Sequence, residues 1–206
     1  MGYTNYADLQ ESIANYIGRT DLANKIPDFI QFAEIRISRD LRTRQMLLLA
    51  TAPTVATEAK VSLPSDFLEI RDIHVQGSPR FPVTYMSPSV FSRNARADES
   101  GKPVNYTILA SEFVLAPIPD AVYTLEILYY AKPPVLSNTN ISNLFLANYP
   151  DALLYASLLE AEPYLINDAR AQTWTTLYER AIQKIITTNQ NGEYSGVPLQ
   201  MTITSR

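Results

Sequence analysis

Cysteine is absent from the sequence, and histidine occurs only once, as His74. The lack of cysteine excludes disulfides, thiolate metal sites and cysteine nucleophiles, and it fits a protein made in a reducing cytoplasm. A single histidine leaves no spacing typical of a histidine-rich metal site. No apolar run approaches the roughly 20 residues that span a bilayer, and the first residues lack the pattern of a signal peptide. We therefore expect a soluble protein without a membrane segment.

Charge of either sign is also sparse, with 17 basic and 21 acidic residues among 206 and a net charge of −4. A slightly acidic chain is poorly suited to coating nucleic acid, because affinity there comes chiefly from neutralised phosphates. Hydrophobic residues make up 46% of the chain, which is enough to build a sizeable core. These values predict a globular protein of one domain with an insertion, or of two small units.

Motifs that carry catalysis are missing as well: the sequence has no glycine-rich phosphate loop and no Gly-x-Ser-x-Gly elbow. His74 lies in an alternating segment and is interpreted as a partly exposed strand residue. Asp66 with Glu69 could form a glycosidase pair. So could Glu160 with Glu162, but a cap and the polar side of a helix explain these carboxylates better. We expect no enzyme activity, no cofactor and no metal.

The N-terminal part predicts two helices. Thr4 or Asn5 is suited to cap the first helix, and Gly18 is placed to stop it. Pro27 belongs in the first turn of the second helix, where its missing N–H costs nothing. Apolar residues at helical spacing extend this second helix to about Arg44.

From about residue 46 the apolar period changes to two, which is typical of half-buried strands. The predicted strands cover residues 59–63, 68–75, 82–86, 104–109, 112–116 and 122–130. Ala110 and Ser111 would form a tight hairpin turn, and a short helix is predicted near residues 88–91. The gaps look too short for parallel crossovers, so we predict an antiparallel sheet or small sandwich.

Helical spacing returns after residue 142. Residues 150–165 are apolar almost all round, so other helices or other subunits must cover them. Pro163 lies inside this helix or ends it. Asn167 or Asp168 could cap a last long helix that carries an apolar stripe. The tail, residues 191–206, has no core of its own to join.

Four arginines, Arg36, Arg39, Arg42 and Arg44, form a basic run near the end of the second predicted helix. Residues three apart drift slowly around a helix, so the first three would share a broad face. This face could meet a partner or DNA. A solvated face is the favoured interpretation.

The tail combines glycines with apolar residues that alternate with polar ones. Its candidate contact residues are Gly192, Gly196, Val197, Pro198, Leu199, Met201 and Ile203. The glycines give conformational freedom, and the alternation predicts an extended strand laid along a partner's surface. We expect the tail to be disordered in the free subunit, because ordering it needs burial against a partner.

Tyrosines are frequent, with 13 in the chain. Tyr106, Tyr123, Tyr129 and Tyr130 lie in predicted strands, where they could form a sugar-binding platform or an interface patch. The preference of tyrosine for strands explains them equally well.

The order of several short segments resembles the head-to-tail adaptor proteins of tailed bacteriophages. The segments are residues 26–30 (IPDFI), 34–42 (EIRISRDLR), 63–71 (LPSDFLEIR), 106–108 (YTI), 115–119 (LAPIP), 128–131 (LYYA) and 150–165. The resemblance implies a homo-oligomeric ring, typically of about twelve copies, in the neck of the virion. Such a ring docks beneath the portal protein and offers its lower surface to a tail or nozzle protein, while genomic DNA only passes through. It also implies no catalytic residues.

We therefore predict an α+β fold with three parts. Residues 3–45 and 143–190 form a helical bundle domain, residues 46–142 an inserted antiparallel β domain, and residues 191–206 an extended C-terminal arm that binds the portal. The predicted function is that of a structural adaptor. One alternative is a β-sandwich module that binds carbohydrate or belongs to a tail fibre, and another is a fragment of a cell-wall hydrolase.

Overall fold

The computed structural model describes residues 3, 5–94, 98–165 and 169–194. In chain order the helices are α1 (Tyr6–Ile17), α2 (Ile26–Asp40), α3 (Pro88–Asn94), α4 (Leu144–Asn148), α5 (Pro150–Leu165) and α6 (Ala171–Tyr194). The strands are β1 (Leu47–Pro53), β2 (Lys60–Ser62), β3 (Phe67–Val75), β4 (Phe81–Pro82), β5 (Thr84–Tyr85), β6 (Asn105–Leu109), β7 (Glu112–Ala116) and β8 (Thr124–Ala131). The predicted α+β class is confirmed.

The chain divides into two compact units. The helical unit consists of Met1–Gln45 and Pro133–Arg206, and the β unit consists of Met46–Lys132. The helical unit is therefore discontinuous in sequence, since the whole β unit is inserted between α2 and α4. Whether each unit folds as an independent domain stays a prediction.

Local capping interactions define both ends of helix α1. The side chain of Asn5 accepts a hydrogen bond from the Asp8 N–H, which caps the first turn. Gly18 follows the helix in the left-handed conformation, with a φ of 69°, and its N–H donates to the Ala14 carbonyl. The predicted cap at Asn5 and the predicted stop at Gly18 are confirmed. Thr4, the alternative cap, lies outside the described residues.

Helix α2 is shorter than predicted. It starts with Pro27 in its first turn, as expected, but it ends at Asp40 and not near Arg44. Leu41 is already extended, with a φ of −117°, and its side chain is completely buried. Burial of this side chain stabilises the extended conformation more than one further helical turn would.

Helix α5 is covered on nearly every side. Its buried residues are Ala152, Leu153, Leu154, Ala156, Ser157, Leu158 and Ala161. The cover comes from α1, α2 and α6 of the same unit, all of which pack against α5. Each fully buried leucine contributes about 1.5–3 kcal/mol. Pro163 lies inside the helix, as one of the two sequence-based alternatives stated.

Helix α6 carries the predicted apolar stripe, with Trp174, Tyr178, Ala181 and Ile182 buried. It continues to Tyr194. Residues 191–194 are therefore helical, whereas the sequence pattern assigned them to an extended arm. In this last turn, the Gly192 carbonyl accepts a hydrogen bond from the Arg44 side chain. Residues 195–206 and the predicted caps Asn167 and Asp168 lie outside the described residues.

The β unit is built from two four-stranded sheets, in the orders β1-β8-β3-β4 and β2-β7-β6-β5. Apolar residues of both sheets form one core, with Ile73, Phe113, Leu115, Leu125 and Ile127 among its most buried members. A two-residue turn joins β6 to β7, as predicted, and Ala110 there has a φ of 54°. The small sandwich is confirmed.

Three predictions about the strands are wrong. The single strand predicted over residues 82–86 is replaced by the two short strands β4 and β5, which lie in different sheets. Strand β5 pairs with β6 in parallel, because the intervening residues 86–104 include α3 and are long enough for a crossover. Strand β1 was missed, since its sequence, LLLATAP, lacks the alternation that marks a half-buried strand. It nevertheless pairs with β8 along its whole length, from Leu47 opposite Tyr130 to Pro53 opposite Thr124.

Candidate interaction surfaces

The arginines of the predicted basic face do not share one helical face. Since α2 ends at Asp40, only Arg36 and Arg39 lie on it. The guanidinium of Arg36 binds the Glu160 carboxylate of α5, with Nε and Nη2 at 2.7 and 2.6 Å from Oε1. Arg39 is exposed. Contact of this face with DNA or with a partner stays a prediction, and it fits Arg39 best.

The other two arginines, Arg42 and Arg44, bind main-chain carbonyls. Nη1 of Arg42 donates to Ser38 O at 2.6 Å and to Leu41 O at 2.8 Å, so it caps the end of α2. Nη1 of Arg44 donates to Gly192 O near the end of α6, at 2.9 Å. Their charges stabilise the termini of helices, where the carbonyl dipoles favour cations.

The C-terminal part of α6 is held against the segment that follows α2. The N–H of Arg44 donates to Asn189 Oδ1 at 2.9 Å, and Asn189 Nδ2 donates to Arg42 O at 3.4 Å. Nearby, the Tyr149 hydroxyl donates to Gln45 Oε1 at 2.8 Å. We call this set of contacts the α6 clasp. Sequence reasoning missed Asn189, because a single asparagine in a polar helix turn gives no signal.

A pocket of about 270 Å³ lies beside the α6 clasp. Its lining residues are Arg44, Gln45, Asn148, Tyr149, Asp151, Ala181, Lys184, Ile185, Thr188 and Asn189. The lining mixes cations, amides and a carboxylate, and it contains no histidine. Because the residues come from α4, α5 and α6 as well as the segment after α2, the pocket depends on the helical unit being fully folded.

A buried carboxylate fixes the segment before α4. Glu34 of α2 is only 3% exposed. Its Oε1 accepts from the Asn143 side-chain amide at 2.6 Å and from the Leu136 N–H at 3.1 Å. The side-chain oxygen of Asn143 in turn caps α4 by accepting from the Phe145 and Leu146 N–H groups. The asparagine before an apolar run could have indicated the cap, but nothing in the sequence marked Glu34.

A second polar contact joins α2 to α6. The Tyr178 hydroxyl donates to the Asp40 carboxylate at 2.5 Å. Burial raises the pKa of Tyr178, and the hydrogen bond to Asp40 adds to this shift. Tyr178 therefore stays a neutral donor over the whole physiological pH range.

Three of the groups weighed for catalysis, His74, Asp66 and Glu160, have a nearby partner. Nδ1 of His74 lies 3.5 Å from the Asp72 carboxylate, and Asp66 accepts from the Tyr129 hydroxyl at 3.0 Å. Glu160 pairs with an arginine, as described above. Among the described residues, no group of His, Asp and Glu side chains lies close enough together to hold a metal ion.

The predicted tyrosine platform does not form. Tyr106 and Tyr129 are each 4% exposed and belong to the core of the β unit. Tyr123 packs against the same core, while the Tyr130 side chain is on the opposite face of β8 and accepts a hydrogen bond from Arg71. The tyrosines therefore stabilise the sandwich and leave no shared flat surface for a sugar ring.

In the described part of the chain, none of the helices is both long and apolar enough to cross a membrane.

The model of the SU10 adaptor protein family matches residues 4–202, which is nearly the whole chain and includes both units. A search of curated proteins gives no match. The matched family is a family of structural phage proteins.

Proposed function

We propose that this chain, which belongs to the SU10 adaptor protein family, forms the ring that joins the portal to the tail of a bacteriophage. The observation that carries the proposal is the match over residues 4–202. The ring would contain about twelve copies, as the resemblance to head-to-tail adaptors implies, related by the rotational symmetry usual for closed homo-oligomers. It would lie in the neck of the virion, between capsid and tail.

The division of the chain into two units supports a protein with two partners. Each unit has its own buried core, so each can offer a rigid surface. We assign the helical unit and the C-terminal arm to the portal side. We assign the β unit to neighbouring copies and to the tail or nozzle protein, because its turns are polar and binding residues commonly lie on turns held by a rigid scaffold.

The portal contact is assigned to the apolar residues of the C-terminal arm. Val197, Leu199, Met201 and Ile203 alternate with polar residues, as in a strand that adds to a partner's surface. The α6 clasp supports this assignment, because it holds the helix from which the arm continues. One arm binds weakly, but about twelve arms on one ring raise each other's effective concentration.

The test replaces residues of the arm in two matched sets. One variant changes Leu199, Met201 and Ile203 to serine, and the control changes Gln200, Thr202 and Thr204 to serine. We expect the first variant to lose co-sedimentation with the portal and the control to keep it. Both should unfold at the same temperature as the unchanged protein. Equal binding by both variants would remove the arm from the portal contact.

A second test concerns assembly of the ring. We expect the isolated protein to be monomeric at micromolar concentration and to form rings on the portal. Rings that closed before they reached a portal would use up subunits that particles need. Mass photometry of the protein, with and without portal, measures both states. A closed ring without portal would contradict the ordered assembly but not the adaptor function.

A further inference from the structure

Strand β1 forms the open edge of its sheet. It lies at the end of the order β1-β8-β3-β4, so within the described residues only β8 pairs with it. β1 has seven residues, which corresponds to about 23 Å of strand. An open edge of this length offers a row of main-chain donors and acceptors to another strand.

The register shows which main-chain groups point outward. The Thr54 N–H donates to Tyr123 O at 2.8 Å, just beyond the paired region. In an antiparallel pair, hydrogen-bonded positions alternate, so Ala52 and Ala50 also direct their main-chain groups to β8. Leu49 and Thr51 therefore direct theirs away from β8, towards the open edge. Pro53 also faces the open edge. It lacks an N–H, and such an outward position on an edge strand is where proline is tolerated in a sheet.

This edge has little of the protection that edge strands usually carry. No charged residue occurs from residue 46 to residue 57. Leu48 is 49% exposed and Leu49 is 62% exposed, and their side chains lie on opposite faces of the strand. Pro53 blocks only the end of the edge. A long, uncharged edge with exposed leucines is a site for strand addition.

The other edge strands, when supplied by a second copy of the chain, cannot pair with β1 along its length. β2, β4 and β5 have three, two and two residues, so they are much shorter than β1. Pairing of β1 with β1 of a second copy would close a two-fold dimer and would not propagate around a ring. The C-terminal arm is assigned to the portal by the proposed function. The remaining occupant is an extended segment of another virion protein.

We infer that β1 accepts an extended, uncharged segment of the tail protein as an added strand. The inference rests on the proposed function. The main chain of the segment would hydrogen-bond to Leu49 and Thr51. Leu49 lies opposite Leu128 on the same face of the sheet, so the segment would place apolar side chains next to Leu49 and polar ones near Thr51. Repetition around the ring makes a weak contact strong.

Two substitutions test the edge without disturbing the pairing with β8. Thr51→Pro removes an outward N–H and leaves the hydrogen bonds to β8 intact. Leu49→Lys places a charge on the edge, the usual protection against strand addition. The matched control is Val55→Lys, which charges another exposed apolar residue, 56% exposed, outside β1. All three proteins should keep the melting temperature of the unchanged protein within a few degrees.

In the assay, each variant complements a phage that lacks the gene for this protein. Tailed particles are then counted by electron microscopy. With Leu49→Lys or Thr51→Pro, the number of tailed particles should fall at least about tenfold, because the contact between β1 and the added strand is lost at every site of the ring. The ring on the portal should remain, and Val55→Lys should give normal numbers. If Thr51→Pro fails to fold, Leu49→Lys alone decides.

Three other outcomes have distinct meanings. Normal numbers of tailed particles with Leu49→Lys would overturn the inference. Folded variants that lose the ring would also overturn it, because β1 would then join neighbouring copies or hold their C-terminal arms. Tailed particles formed without the gene would overturn the proposed function itself.

Discussion

The guanidinium of Arg44 lies directly against the backbone of Gly192. Its Nη1 donates a 2.9 Å hydrogen bond to Gly192 O, and a β-carbon at residue 192 would overlap with Nη2. Any side chain at residue 192 therefore requires the flexible end of the Arg44 side chain to move. The pair fixes the last turn of α6 to the segment that follows α2.

Gly192→Ala should consequently lack the stabilisation that this substitution normally gives within a helix. Alanine in a helix is normally better than glycine by up to about 1 kcal/mol. Here the new methyl group must displace the flexible end of the Arg44 side chain and break its hydrogen bond to Gly192 O, at a cost of about 1 kcal/mol. The gain and the cost nearly cancel, so we expect a change close to zero in the free energy of unfolding, measured by urea denaturation.

The same substitution in the Arg44→Ala background provides the control. Without the guanidinium the methyl group meets no obstacle, so Gly192→Ala should stabilise the protein there by up to about 1 kcal/mol. The two backgrounds should differ by about 1 kcal/mol, which lies within the range of couplings for residues in contact. Equal effects in both backgrounds would show that the contact is not maintained in solution.

Glu34→Ala should be among the most destabilising substitutions in the helical unit. It leaves the Asn143 amide and the Leu136 N–H buried without their acceptor. An unsatisfied buried donor costs about 1–3 kcal/mol, so we expect a loss of about 2 kcal/mol or more. Glu34→Gln keeps one acceptor oxygen and should lose less, while Glu11→Ala, on the exposed side of α1, should change little. Similar unfolding curves for all three variants would contradict the role of Glu34.

The β unit should lose stability in alkaline solution. Burial raises the pKa of Tyr106 to about 12, and the nearby Asp72 carboxylate adds to this shift. In the unfolded chain tyrosine titrates near pH 10, so between about pH 10 and 12 the folded state holds more protons and stability falls as pH rises, by up to about 1.4 kcal/mol per pH unit. The contribution is fully present below pH 10. Tyr106→Phe should flatten this part of the profile; an unchanged slope in that variant would assign the loss to other groups.

The β unit, residues 46–132, should fold when it is expressed alone. Its two sheets share a continuous core that includes Ile73, Phe113 and Ile127, and a separate core is what an independent domain requires. Circular dichroism should show β structure and a single cooperative thermal transition. A chain that stays unfolded would show that the unit depends on the helices, and the predicted domain organisation would then be wrong.

Local sequence determined much of the secondary structure. The Asn5 cap, the Gly18 stop and the Pro27 start act within one or two helical turns, so each can be recognised without knowing the fold. The hairpin turn at Ala110 is local in the same way. Regular alternation was likewise enough to predict the strands in which every second side chain is buried.

Tertiary structure decided the features that depend on distant residues. β1 carries no alternation and becomes a strand because β8 pairs with it from a position far along the chain. Arg44 meets Gly192, and Glu34 meets Asn143, although the whole β unit separates the two residues of each pair in the sequence. Local patterns arise from backbone geometry and neighbouring side chains, and they can be read from the sequence. Contacts between residues separated by a hundred positions arise from packing, which a single sequence does not display.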